Sequence, residues 1–217
     1  MKKFVITLLI STVSMFAFAQ NNVLSETKSF FKQCQYTISV GYGTSSTNDP
    51  FSDPKVTLNA GLDIQKDFMS FKESKYNLYW LTGVHFVLKG GKQDSSVDGW
   101  LSSGNDFTIP QGSIPIHVGA KLNIKRSYLF VDAGPFVSFC GSAALSEGYG
   151  NAGYTIESNP VEFGVGVNLG VCFKKIGLSF GFDKGFSNIA KYIEDGEKGQ
   201  NLKSYAAYAR LQWTFNR

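Results

Sequence analysis

Apolar and non-apolar positions alternate strictly in several long segments of this chain. Within 161–173 the apolar residues are Val161, Phe163, Val165, Val167, Leu169, Val171 and Phe173, and Glu162, Gly164, Gly166, Asn168, Gly170 and Cys172 lie between them. A period of two predicts a β-strand whose two faces lie in different media. Such segments are longer than the roughly 5 or 6 residues usual for soluble strands and match the roughly 9 to 11 that cross a bilayer. The pattern therefore predicts transmembrane β-strands.

Eight segments show this alternation, at approximately 33–43, 55–66, 76–89, 112–124, 128–139, 160–173, 176–186 and 204–216. Short connections (67–75, 125–127, 174–175) alternate with longer ones rich in Ser, Gly, Asn and Asp (44–54, 90–111, 140–159, 187–203). Outer-membrane barrels combine short periplasmic turns, longer external loops and an even number of strands. We therefore predict an all-β fold, an eight-stranded antiparallel transmembrane β-barrel with short periplasmic turns and longer external loops.

Side-chain size indicates which face of the strands meets lipid. The apolar face carries bulky residues, among them Leu78, Trp80, Phe86, Val118, Val131, Leu169, Phe180, Leu211 and Trp213. Eight strands enclose a lumen that side chains just fill, so a full set of this bulk would not fit inside. The other face carries most of the strand glycines, which leave room for larger neighbours in a crowded interior. The apolar face is therefore predicted to face lipid.

The predicted lumen face also carries ionisable side chains, which must pair because an unpaired buried charge costs several kcal/mol. We predict a structural lumen network that contains Lys121, Asp132, Asp183, Arg210, His85 and His117. If Ile124 pairs with Ser127 across the 125–127 turn, Lys121 lies diagonal to Asp132. An ion pair between these two residues is expected.

The first twenty residues predict export. Lys2 and Lys3 give a positive start, an apolar run begins at Phe4, and Ala17 and Ala19 are the small residues that a cleavage site requires. We predict a cleaved signal peptide at 1–19, a periplasmic lead at 20–31 and an outer-membrane β-barrel domain at 32–217. The localisation expected is integral to the cell outer membrane.

Charge and candidate chemistry add few functional clues. The formal net charge of +4 falls to +2 without Lys2 and Lys3, which is too small to indicate a nucleic-acid partner. His85 and His117 invite a catalytic interpretation, but both lie on the lumen face inside strands, and no Ser or Asp stands in a recognisable triad with them. No nucleotide-binding glycine motif is present. We predict no catalytic residue, no metal ligand and no cofactor.

Several segments resemble a known family. IPIHVGAKLNI at 114–124 followed by YLFVDAGPFVSF at 128–139 is similar to a hairpin of the PorT-like outer membrane protein β-barrel family. FVLKGGK at 86–92 and GFDKGFSNI at 181–189 resemble the ends of its third and seventh strands. The resemblance covers about 32–217 and implies an outer-membrane barrel. Because the family has diverse roles, it implies no particular activity.

The function expected from the sequence is that of a non-enzymatic outer-membrane barrel with a filled lumen. Tyr79, Phe130, Phe136, Tyr208 and Arg210 are expected to plug it. Such a protein supports envelope integrity or presents external loops, and its expected partners are outer-membrane lipid and the barrel-assembly machinery. An external ligand or envelope protein is expected to bind through loops 90–111, 140–159 and 187–203. Two alternatives stay open: a barrel enzyme acting on envelope lipid or peptide, and a secreted soluble lipocalin-like binder.

Overall fold

The computed structural model describes residues 31–48, 52–71, 75–92, 106–146, 154–194 and 199–215. The chain separates into two compact units, one reaching to Cys34 and the other comprising Gln35–Phe215. In the first unit the described residues form a short helical turn, in which the Cys34 amide donates to the Phe31 carbonyl at 3.2 Å. The predicted signal peptide, 1–19, and residues 20–30 of the predicted lead lie outside the described residues. Within the described ranges no helix is long and apolar enough to cross a membrane.

The second unit is built from β-strands. Those in the described residues are β1 (Gln35–Thr47), β2 (Lys55–Phe71), β3 (Tyr76–Lys92), β4 (Asp106–Ile124), β5 (Ser127–Cys140), β6 (Ala144–Ser146), β7 (Tyr154–Ser158), β8 (Val161–Phe173), β9 (Ile176–Gly185), β10 (Ala190–Glu194), β11 (Gln200–Leu202) and β12 (Ser204–Phe215). Eight long strands pair antiparallel in the order β3-β2-β1-β12-β9-β8-β5-β4, and β3 also pairs with β4. The sheet is therefore closed, and the predicted eight-stranded antiparallel barrel is confirmed.

The two faces of the barrel wall differ as the alternation predicts. Apolar side chains such as Leu62, Val118 and Leu169 remain more than half exposed on the outer face. Polar residues at the intervening positions, such as Asp63, His117 and Asn168, are almost completely buried. A soluble barrel would bury the apolar set and expose the polar one. The lipocalin-like alternative is therefore wrong.

Several strands extend further towards the external side than the sequence predicts. β3 continues to Lys92 and β4 starts at Asp106, so the predicted loop 90–111 is shortened to 93–105, which lies outside the described residues. In the described parts of the predicted loops 140–159 and 187–203 there are four short strands. β7, β10 and β11 form a separate antiparallel sheet in the order β11-β10-β7, while β6 pairs with the start of β4. Parts of these loops are packed, since Ile156, Ile189 and Leu202 are buried.

The depth of β8 in the bilayer can be tested with two arginine substitutions. Val167 lies in the middle of the strand, opposite Ala133 and Phe182, whereas Phe173 ends the strand on the same lipid-facing side. An Arg on the lipid face costs about 2–4 kcal/mol at the midplane but only about 0–1 kcal/mol near an interface. We expect Val167→Arg to lower the free energy of unfolding in lipid vesicles by about 2–4 kcal/mol, and Phe173→Arg by about 1 kcal/mol or less. Equal losses in a denaturant titration would contradict this placement.

Candidate functional site

The lumen is the most elaborate feature of the molecule, and glycines on its wall make room for it. A Cβ at Gly83 would lie 2.6 Å from Oδ1 of Asp63, and one at Gly61 would collide with the His85 ring. Gly181 likewise faces the Tyr208 ring. These side chains occupy the space next to the opposing glycine backbone. The concentration of glycine on the lumen face therefore reflects the packing of large polar and aromatic side chains inside.

A hydrogen-bonded cluster around Asp132 occupies the middle of the lumen. Oδ1 of Asp132 lies 2.7 Å from His117 Nδ1 and accepts from the Asn168 amide nitrogen at 2.8 Å. Oδ2 accepts from the Tyr79 hydroxyl at 2.8 Å. Asp132, His117, Asn168 and Tyr79 come from β5, β4, β8 and β3, and each is less than 5% exposed. The cluster thus links four strands through one buried carboxylate.

A second cluster continues from Asn168 across the lumen. The side-chain oxygen Oδ1 of Asn168 accepts from Arg210 Nη2 at 2.5 Å, and Arg210 Nη1 lies 3.4 Å from His85 Nδ1. The other nitrogen of His85 is 2.7 Å from Oδ1 of Asp63. Asn168 is therefore the side chain that connects the His117–Asp132 pair to the Arg210–His85–Asp63 chain. The Tyr208 hydroxyl donates to Asp183 at 2.9 Å beside it.

The periplasmic end of the lumen contains a different ion pair from the one predicted. Lys121 Nζ lies 3.0 Å from Oδ1 of Asp67 and donates to the side-chain oxygen Oε1 of Gln35 at 3.0 Å. The predicted Lys121–Asp132 pair is wrong, because both oxygens of Asp132 already accept hydrogen bonds in the central cluster. Tyr128 lies beside this pair, and its hydroxyl accepts from the Gln35 amide at 3.1 Å.

The external end of the lumen contains a fully buried ion pair. Lys89 Nζ is 3.0 Å from Oε2 of Glu162, and these side chains are 1% and 0% exposed. Ser204 hydrogen-bonds to both members of the pair. The Lys89 ammonium also lies 4.6 Å from the centre of the Phe136 ring, where the negative face of the ring attracts it. Water is thus excluded from both charges.

An apolar cluster packs next to the external end of the lumen. We call the sheet of β7, β10 and β11 the cap. Its inner side chains belong to one buried apolar cluster, which also includes residues of β4 and the residue before β10. The cap contributes Ile156, Ala190, Tyr192 and Leu202, β4 contributes Phe107 and Ile109, and Ile189 precedes β10. Backbone hydrogen bonds from Asn159 to Ile189 (2.9 Å) and from Ile189 to Leu202 (2.7 Å) connect the segments that carry it. The cap therefore adds an apolar layer to the polar lumen.

Little free space is left among the central clusters. One cavity of about 20 Å³ lies there, and its lining includes Asp63, Tyr79, His85, His117, Asp132 and Arg210. A space of this size is enough for about one water molecule. It is too small for a lipid chain, a sugar or a peptide.

The chemistry available at the histidines is limited by their partners. Each ring contacts a carboxylate, and the remaining contacts are with a guanidinium or an amide. Within the described residues neither ring is hydrogen-bonded to a Ser or Thr hydroxyl. In the same part of the chain no group of three or more His, Cys, Asp or Glu residues is placed to hold a metal ion.

The structure places all six predicted network residues in the lumen wall, but in three groups. Lys121 belongs to the periplasmic pair, His117 and Asp132 to the central cluster, and His85, Arg210 and Asp183 to the side chains around it. The prediction omitted Asp63, Asn168 and Glu162. Each shares the parity of the lumen glycines, and this parity is the signal that identifies them. Lys89, which the predicted network also leaves out, is buried as well.

Comparison with known proteins identifies the family. Residues 16–191 match the outer membrane protein beta-barrel domain, so the chain belongs to this family and is an integral protein of the outer membrane. No curated protein matches the chain.

Solved structures with a similar fold include OprG from Pseudomonas aeruginosa (13% identity, 83% of this chain and 95% of that chain, TM-score 0.46). Others are Ail, the attachment invasion locus protein of Yersinia pestis (12%, 84% and 99%, 0.41), and the outer membrane enzyme PagL (18%, 82% and 98%, 0.41). At these identities the likeness is one of fold alone. It does not distinguish an enzyme from a non-enzyme.

Proposed function

We propose that this protein is a non-enzymatic, non-conducting barrel that anchors the cap and the adjoining loops at the cell surface. There it supports envelope integrity by presenting them to an external ligand or envelope protein. The observation that carries the proposal is the filled lumen. Polar clusters occupy it from Lys121 at the periplasmic end to Lys89 at the external end, and the apolar side of the cap packs beside that external end. Residues 114–139, which resemble the PorT-like family, lie in the β4–β5 hairpin. The diverse roles of that family agree with a barrel that has no fixed catalytic site.

The proposal excludes enzymatic activity for a geometric reason. An enzyme acting on envelope lipid or peptide needs its nucleophile and base within roughly 3 Å, in a place that the substrate reaches. His85 and His117 are each at most 7% exposed. Both nitrogens of His85 contact Asp63 and Arg210, and Nδ1 of His117 contacts Asp132 and Asn168, while its Nε2 is buried without a hydrogen-bond partner in the described residues. The cavity beside them holds about one water molecule. Both histidines thus serve as structural members of the lumen network.

The outward face of the cap provides a polar surface for recognition. Lys191 lies opposite Glu157 on one side and Asn201 on the other, and all three are exposed. Ile156, Tyr192 and Leu202 alternate with them and are buried in the apolar cluster. The cap is thus a small sheet with one packed face and one polar face. A partner of this surface would be bound through hydrogen bonds and ion pairs.

The filled lumen predicts an absence of conductance. Purified protein in planar bilayers is expected to give no stable openings, because open aqueous channels require barrels of about 16 strands, whereas eight strands are filled by side chains. A large porin recorded in the same bilayers is the positive control. Stable, reproducible single-channel steps from correctly folded protein would contradict the proposal.

Complementation separates presentation from enzymology. In a strain that lacks the protein, sensitivity to detergent is measured after return of the wild type, a cap variant (Glu157→Ala, Lys191→Ala, Asn201→Ala) or a histidine variant (His85→Gln, His117→Gln). We expect the folded histidine variant to restore resistance and the folded cap variant to fail. The reverse result would support an enzyme and overturn the proposal.

A further inference from the structure

The periplasmic turns carry a concentrated positive charge. Lys75 precedes β3, Lys125 and Arg126 connect β4 to β5, and Lys174 and Lys175 connect β8 to β9. All five side chains are exposed, and Asp67, an acidic residue at the same end, is paired with Lys121. We call these five residues the basic rim. At the external end, by contrast, cations and acids are interspersed, as in the Lys55–Asp106 pair and in Lys191 opposite Glu157.

Backbone hydrogen bonds join the rim residues to the neighbouring strands. The Lys174 amide donates to the Arg126 carbonyl at 2.9 Å, which links the β4–β5 turn to the β8–β9 turn. The carbonyls of Lys75 and Lys175 accept from Asn123 and Thr214, each at 2.8 Å. The backbone that carries the five cations is therefore held in place at the periplasmic end of the barrel.

Backbone conformation gives an independent indication that these charges matter. Lys125 and Lys174 are each the first residue of a two-residue turn, and each has a φ of 53°. Gly or Asn is preferred where a hairpin turn requires positive φ, because a longer side chain is strained there. Both turns nevertheless carry Lys at the strained position. An unfavourable conformation that recurs with the same residue type points to a function for that residue.

The position of the rim identifies its ligand. Ile124, Phe173, Ile176 and Tyr76 flank the turns and expose apolar side chains on the lipid-facing wall. The ammonium of Lys174 lies 5.5 Å from the Phe173 ring centre, and that of Lys75 lies 5.8 Å from the Tyr76 ring centre. These cations lie at the boundary where the hydrocarbon ends, against the outer wall of the barrel. Lipid phosphate groups are located at this depth beside the barrel wall, whereas a soluble periplasmic partner would approach the end of the barrel from the periplasm.

We propose that the basic rim binds the phosphate headgroups of anionic phospholipids in the periplasmic leaflet and so selects the lipid annulus at this end of the barrel. Lysine supplies point charges and Arg126 supplies a planar fork that suits phosphate. Basic residues beside a membrane attract anionic lipid, and the attraction weakens within a Debye length and in salt. This inference concerns the periplasmic end and is independent of the function proposed for the cap.

Trp213 provides a local reporter for the test. It is exposed on the lipid face, pairs with Ile176, and precedes Thr214, whose amide is bonded to Lys175. In a background with Trp80→Phe and Trp100→Phe, Trp213 is the remaining tryptophan of the chain. Its fluorescence is quenched by brominated lipids that occupy the annulus. Two vesicle preparations have the same lipid composition and differ only in whether the phosphatidylglycerol or the phosphatidylcholine is brominated. Comparing the quenching in the two preparations gives the relative association constant of the two lipids for the barrel.

The decisive comparison uses two variants with equal loss of charge. The rim variant carries Lys125→Asn, Arg126→Gln, Lys174→Asn and Lys175→Gln, since Asn tolerates positive φ and preserves the turns. The control carries Lys92→Gln, Lys184→Gln, Lys191→Gln and Lys203→Gln at the external end. We expect the wild type and the control to prefer phosphatidylglycerol by about fivefold at low ionic strength, and the folded rim variant to show a ratio near one.

Three results would overturn the proposal. The first is equal quenching of the wild type by the two lipids. Binding of the barrel to purified peptidoglycan together with equal quenching would mean that the rim has a different ligand. The second is an undiminished preference in the rim variant. The third is an equal loss of preference in the external control. A preference that disappears at about 1 M salt in the wild type would support the proposal, because the Debye length is then only about 3 Å.

Discussion

Glu162→Gln is expected to lower the free energy of unfolding by about 3–5 kcal/mol. The substitution neutralises the partner of Lys89 at a place where the two side chains are 1% and 0% exposed. The lysine is left as a buried charge, and within the described residues its remaining contacts are Ser204, the Phe136 ring and the neutral amide of the new glutamine. Neither group replaces a carboxylate. The measurement is a guanidinium titration of the folded barrel, followed by tryptophan fluorescence.

The double variant Lys89→Met/Glu162→Gln distinguishes loss of a charge partner from loss of shape. Replacing both members of a buried ion pair with side chains of similar volume is often neutral. We therefore expect the double variant to recover most of the stability that Glu162→Gln loses. If instead the two substitutions destabilise additively, the pair does not act as a unit.

The Lys55–Asp106 pair serves as a matched control. Its N–O distance is 2.9 Å, close to that of the buried pair, but its side chains are 18% and 19% exposed. Because water screens such a pair, Asp106→Asn is expected to cost about 1 kcal/mol or less. A comparable loss at both sites would show that burial does not set the energy of the Lys89–Glu162 pair.

Lys89 also illustrates what sequence patterns determine in this protein. Period-two alternation specifies the face on which a residue lies, because side chains of a strand point alternately to its two sides. Lys89 has the parity of His85, so its lumen position follows from that rule. What the pattern does not indicate is how far the strand continues and what covers its end. The short strands of the cap contain only five, five and three residues, too few for alternation to be recognised.

The partners of lumen residues are harder to predict than their faces. The register of the β4–β5 hairpin places Lys121 diagonal to Asp132, because Lys121 pairs with Phe130 and Asp132 pairs with Gly119. The observed partner, Asp67, lies on β2, and Lys121 reaches it past the intervening strand β3. Contacts across a narrow lumen depend on how the closed barrel brings non-adjacent strands together and on which acceptors are already occupied. Neither property is encoded in a single hairpin.

Two buried asparagines make this distinction measurable. Asn168 and Asn59 both face the lumen and are 4% and 3% exposed, so alternation and burial describe them in the same way. Asn168 accepts from Arg210 and donates to Asp132, whereas neither polar atom of the Asn59 side chain has a hydrogen-bond partner within the described residues. The same substitution at the two positions therefore removes very different interactions.

Asn168→Leu is expected to lower the free energy of unfolding by about 3 kcal/mol or more, whereas Asn59→Leu is expected to leave it unchanged or raise it by about 1 kcal/mol. Leucine at 168 deprives the buried guanidinium of Arg210 and the carboxylate of Asp132 of a partner, and each loss costs about 1–3 kcal/mol. Leucine at 59 instead removes an amide that is buried without a partner. The titration used for Glu162→Gln measures both. Equal losses would mean that lumen stability depends on side-chain volume alone, and the central cluster would then have no role in holding the four strands together.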